Sequence, residues 1–248
     1  MTQAPPAPVD TEAAQELLKE ATRLASGDEL ERVGAALERK VALFTERLAP
    51  EALPALDADR LRELAGMVFT LRSRRNKVVA DRSLADHREA IGDLLHGEAP
   101  LAARFDRFTS SYASLGPRRA RAFASELLHF TQPGRFWLWT PWIWDPSTGA
   151  GALPLVTHDA DLGGATAGDT YLRVGRATAL VAQDGRHAGY TRLGRGLLGT
   201  DVFLATVQAV SMFTLYKLRI SQEFLRFLPE LPEFVRRLLG VLHLEEVA

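Results

Sequence analysis

The sequence predicts a mainly α fold, an antiparallel helical array with a Trp/Pro/Gly-rich irregular insertion and room for one short β hairpin. Three observations carry this. Apolar residues recur at steps of three and four through most of the chain up to Thr131. Helix-start and helix-stop residues fall between those runs. The long stretch without such a period, residues 132–170, is rich in Pro, Gly, Thr and Trp.

Residues 1–9 are rich in Pro and Ala and read as a disordered tail, and residues 10–248 read as a single mostly helical domain. Ser26 and Glu29 have capping-box spacing, in which each side chain satisfies a free backbone N–H at a helix start. Behind them Leu30, Val33, Leu37, Val41, Phe44 and Leu48 form one apolar face. Glu31, Arg32, Glu38, Arg39, Lys40, Glu46 and Arg47 are assigned to the opposite, solvated face. The helix ends before Pro50, because a following proline disfavours the helical region. A second run starts near Asp57 and turns Leu61, Leu64, Val68 and Leu71 inward. Ser83 and Asp86 cap the next helix, and Gly97 closes it as a left-handed C-terminal residue. Pro100 and Pro117 each stand where a helix can begin, since proline lacks only an N–H that would be unpaired there.

The period is lost at Gln132. Leu153–Val156 offers a short strand within the irregular segment. Residues 171–190 admit two readings: a helix over Tyr171–Gln183 stopped by Gly185, or a hairpin turning at Asp184-Gly185. The alanine-rich run favours the helix. Val202–Tyr216 is nearly all apolar, but about 20 residues are needed to cross a bilayer. Gln208 also interrupts it, so it reads as a buried core helix and no membrane span is expected. Ser221 opens a C-terminal segment that Pro229 and Pro232 divide.

Composition excludes several chemistries. The 248 residues contain no cysteine, which removes disulfides, thiolate metal sites and cysteine nucleophiles and fits a reducing cytoplasm. No charged segment followed by an apolar core marks a secretory signal, so a cytoplasmic location is expected. Thirty basic and 31 acidic side chains leave a net charge of -1, so any nucleic-acid binding must come from a local patch. Gly194, Gly196 and Gly199 have dinucleotide-loop spacing but no convincing strand before them. His158, Asp159 and Asp161 have no partner His at metal-ligand spacing, and no metal or cofactor is expected. No catalytic residue can be assigned, and a non-enzymatic role is favoured.

Two features carry binding hypotheses. All four tryptophans, Trp137, Trp139, Trp142 and Trp144, fall within eight residues, beside Arg135 and Phe136. They suit either a partner- or ligand-binding wall or an apolar cap on the helical core. Arg72, Arg74, Arg75 and Lys77 form a basic run, extended by Arg82, and Arg118, Arg119 and Arg121 form a second. Arg72, Arg74, Arg75, Lys77, Arg118 and Arg119 are the candidate phosphate contacts. The apolar C-terminal segment, Phe224 to Leu244, suits core packing or subunit association.

Glu126-Leu-Leu-His-Phe130, followed by Pro133 and Phe136–Trp139, resembles a helix-and-turn in helical proteins related to DNA glycosylases. The resemblance covers only that short stretch, without the glycine-rich hairpin and downstream catalytic acid of such proteins. It implies a nucleic-acid-binding or base-processing domain, in which neither Asp145 nor Asp201 can be assigned as the acid. The residues themselves favour a helical interaction protein or accessory subunit. Its partner, another protein or a second copy, would dock on the Trp-rich segment or the C-terminal helices. Geometry separates the two: arginine runs and tryptophans that share one concave face favour nucleic acid, and arginines scattered and paired to carboxylates oppose it.

Overall fold

The computed structural model describes residues 9–158, 161–188, 197–219, 229–242 and 244. These residues are mainly α-helical and form no β-strand; the one β pairing is an isolated antiparallel bridge between Val9 and Thr157. By internal packing the chain groups into two compact units. Residues 1–37, 142–160 and 177–248 form the first, and residues 38–141 with 161–176 form the second.

Ten α-helices are described: α1 (Thr11–Leu24), α2 (Gly27–Leu48), α3 (Ala58–Met67), α4 (Arg75–Ala80), α5 (Leu84–His96), α6 (Leu101–Ser111), α7 (Pro117–Thr131), α8 (Ala167–Ala188), α9 (Leu197–Arg219) and α10 (Leu231–Leu239). Their starts follow local chemistry. The Asp10 carboxylate accepts the Ala13 N–H at 2.9 Å, and Asp57 accepts the Arg60 N–H at 2.8 Å. The Ser26–Glu29 box forms in both directions, with Ser26 N–H to Glu29 at 2.8 Å and Glu29 N–H to Ser26 at 3.3 Å. Ser83 caps α5 by accepting the Asp86 N–H at 3.2 Å. Pro117 opens α7 behind Gly116, whose φ of 82° few other residues adopt.

One alternative is decided and three expectations change. Residues 171–188 are helical, the reading the alanine-rich run favoured, so Asp184-Gly185 lies inside α8 without stopping it and no hairpin turns there. Leu153–Leu155 is a 3-10 turn with proline at its centre, which removes a donor a strand would need. Gly97 is not left-handed, with φ of -62°. A side chain there would come within 2.5 Å of the Asp93 carbonyl, so close approach explains the glycine. Lys40, assigned to the solvated face of α2, is fully buried.

In the first unit α9 is the central element, packed by α1 and α10. Val202, Phe203, Leu204, Ala205, Val207, Ala209 and Val210 are all buried, which accounts for the apolar run without a bilayer. Leu197–Tyr216 is the one described helix long and apolar enough to cross a membrane by composition. Trp142 closes the unit by donating its indole N–H to the Leu238 carbonyl at 3.1 Å.

The second unit is organised around α7, whose residues Ala122 to Thr131 are all buried. Helices α5 and α6 pack on it, and α3 packs on α4. Phe105, Phe108, Tyr112 and Phe123 supply an aromatic core, with Phe108 and Tyr112 rings 4.5 Å apart.

Candidate functional site

Two charged arrangements stand out in the second unit, one internal and one at its surface. The internal one begins at α2. Lys40 donates to the Glu126 carboxylate at 2.7 Å and to the Met67 carbonyl at 2.9 Å. Its ammonium lies 3.9 Å from the centre of the Phe130 ring and 5.6 Å from that of Phe44. Burial pushes the Glu126 carboxyl above its ordinary value; Lys40, His129 and a hydrogen bond from the Phe69 backbone N–H pull it back. One turn further along α7, the His129 Nδ1–H donates to the Phe136 carbonyl at 2.7 Å, fixing the start of the tryptophan segment.

The surface arrangement is basic. A 3-10 turn, Arg72–Arg74, leads into α4, and Arg72, Arg74, Arg75 and Lys77 are all exposed. Lys77 donates to the Ser114 carbonyl at 3.2 Å, and the Ser114 hydroxyl donates to Asp81. Ser114 belongs to the 3-10 turn Ala113–Leu115, three residues before Pro117 begins α7. These bonds tie Lys77, in the α4 part of the first basic run, to the turn that precedes exposed Arg118 and half-buried Arg119. Neither Arg74, Arg75, Lys77 nor Arg119 forms an ion pair with a carboxylate among the described residues. Two arginines are used otherwise. Arg82 lies 4.4 Å over the Tyr112 ring and 3.7 Å from Asp81, and Arg121 lies 5.3 Å over the Trp139 ring.

Beneath this region Tyr112 holds His87 through a 2.7 Å hydrogen bond to Nδ1. Burial pushes the His87 imidazole below its ordinary value and the Tyr112 phenol above its own. Both rings are thus neutral core groups rather than acid–base candidates at neutral pH.

The tryptophans are distributed between the two units. In the second, Trp139 is buried, stacked 6.0 Å from Phe105, and its backbone N–H donates to Ser125 at 2.5 Å. Trp137 is half-buried, with the Tyr171 hydroxyl on its carbonyl at 2.9 Å and its ring against Gly175, where an added Cβ would lie 3.2 Å from the indole. Phe136 is buried, and exposed Arg135 lies 5.2 Å from its ring. In the first unit Trp142 is buried and Trp144 half-buried. Packing occupies most of this aromatic surface.

Remaining candidates resolve individually. Asp145 is buried and accepts the Ser147 N–H and hydroxyl at 3.0 and 2.7 Å, an Asx turn. Asp201 is buried within α9. His158 lies 3.7 Å from Asp10, and Asp161 pairs with Arg173 at 2.8 Å. Asp159, Gly194, Gly196 and Phe224 to Leu228 lie outside the described residues, and Gly199 is inside α9. Among the described residues no three His, Asp or Glu side chains gather to hold a metal ion.

Sequence reasoning missed the Lys40–Glu126 pair and exposed Phe69. Lys40 follows Leu37 by three residues and precedes Phe44 by four, so helical register alone places it on the inward face. The chain matches no known protein family, no curated protein and no solved structure.

Proposed function

We propose that the protein binds nucleic acid through the basic surface of its second unit, without a chemical step assigned to it. The observation that carries this reading is the Lys77–Ser114 bond, which ties the run Arg72, Arg74, Arg75 and Lys77 to the turn just before Arg118 and Arg119. A chain of net charge -1 gains no attraction for phosphates from its overall field, so a concentrated patch is what the function requires. The burial of Trp139 and Trp142 removes them both as a docking wall and as base-stacking residues, so the reading rests on the basic surface alone. Fluorescence anisotropy of a labelled oligonucleotide at rising salt tests it. Six cations on a phosphate backbone give a slope of log affinity against log salt of about -4 to -5. Absence of binding at low salt, or binding indifferent to salt, refutes the reading.

A second reading is supported by one observation. Near its C-terminal end α9 exposes Leu215 (44%), with Met212, Phe213 and Tyr216 half-buried and Phe213 edge-on to Phe234 of α10 at 6.0 Å. This surface suits docking of a protein partner or a second copy. Light scattering of the purified chain checks the second copy: a mass near 54 kDa, twice 27.3 kDa, is expected, and 27.3 kDa sinks that form.

A further inference from the structure

We infer that Phe69 is a base-stacking residue and that the ligand of the basic surface is single-stranded nucleic acid. The inference rests on the nucleic-acid reading and narrows it. Three large apolar side chains are exposed among the described residues, Phe69, Leu172 and Leu215, and Phe69, at 42%, is the aromatic one. A lone exposed phenylalanine is ordinary on a protein surface. What distinguishes this one is its setting.

Phe69 projects from the turn between α3 and the Arg72–Arg74 3-10 turn, flanked by Val68 and Leu71, both fully buried. Two buried charges hold that turn from beneath: Lys40 donates to the Met67 carbonyl, and the Phe69 N–H bonds to Glu126. The Val68 carbonyl accepts both the Leu71 and Arg72 N–H groups at 2.9 and 3.0 Å. The backbone that exposes the ring is therefore pinned on both sides. A ring carried on a fixed backbone needs less ordering when a base stacks on it than one on a mobile loop.

The ring is also close in sequence to the candidate phosphate contacts. Arg72, Arg74 and Arg75 follow it by three, five and six residues, and the Arg75 side chain lies back over α3, within 3.5 Å of the Cβ position at Gly66. An aromatic platform beside a cationic track is the arrangement that holds unpaired bases, because every base offers a π face while its phosphate meets a cation. Duplex DNA keeps its bases stacked inside, so such a ring meets a base face there only where a step is forced apart.

Phe69→Ala and Phe69→Trp are compared with the parent protein for binding a labelled oligothymidylate and a blunt-ended DNA duplex of equal charge. Arg74→Glu/Arg75→Glu/Lys77→Glu serves as the basic-surface control, and thermal melts verify folding. Phe69→Ala is expected to weaken the oligothymidylate roughly tenfold with its salt slope unchanged and to leave the duplex unaffected. Phe69→Trp is expected to retain or strengthen single-strand binding. No loss in Phe69→Ala, or equal loss on both ligands, overturns the inference while leaving the basic surface standing. Displacement by polyglutamate at equal charge concentration also overturns it, in favour of an acidic protein. If the triple variant binds both nucleic acids as the parent does, the basic surface is not the site and the reading built on it fails with the inference.

Discussion

Lys40→Met is expected to lower stability by about 3–5 kcal/mol, because it leaves the Glu126 carboxylate buried without its cation. Lys40 is fully buried and Glu126 2% exposed, so solvent cannot replace the lost partner. The pH dependence has a definite sign. Burial already holds the Glu126 carboxyl above its ordinary value, and Lys40 is the leading group pulling it back. Without Lys40 the carboxyl rises further, and the folded variant keeps a proton that the unfolded chain releases near the ordinary carboxylate value. Folding then binds a proton, so the variant loses stability as pH rises and regains part of it towards the carboxylate range. The double variant Lys40→Met/Glu126→Gln removes both charges while keeping an acceptor for the Phe69 N–H, and most of the loss is expected to be recovered. Denaturant melts of the three proteins at two pH values check this. A single variant as stable as the parent would show that the pair does not hold the second unit together.

Arg74→Glu/Arg75→Glu/Lys77→Glu is expected to weaken nucleic-acid binding roughly a hundredfold or more at low salt, and to flatten the salt slope by about two to three. All three side chains are exposed, and no carboxylate pairs with them among the described residues. The change therefore reverses charge at the surface without orphaning a buried group, and the melting temperature is expected to stay near that of the parent. Anisotropy measures the first effect and a thermal melt the second. Retained affinity in a folded triple variant would move the binding site elsewhere.

Much of the helical frame was readable because it is local. The Ser26–Glu29 box, the Asp57 and Ser83 caps and the Pro117 start each depend on residues within one turn. The apolar run at α9 was visible, but the helix extends to a length that could span a bilayer, so burial of Val202 to Val210 and not length is what reads as core. What escaped depends on distant partners. Glu126 is 86 residues from Lys40, and no local pattern announces that a lysine will find a carboxylate there. The basic runs were visible as composition, but the Lys77–Ser114 bond that joins them spans 37 residues. The tryptophans were conspicuous for their density. Their division between two units follows from tertiary packing, which spacing along the chain does not encode.

Hydrogen–deuterium exchange of the purified protein, alone and with a saturating single-stranded oligonucleotide, tests the central claim most directly. Nucleic-acid binding by the basic surface predicts slowed exchange in peptides covering residues 69–82 and 113–121, with α9 and α10 unchanged. Protection confined to α9 and α10, or absent everywhere at saturation, would contradict it.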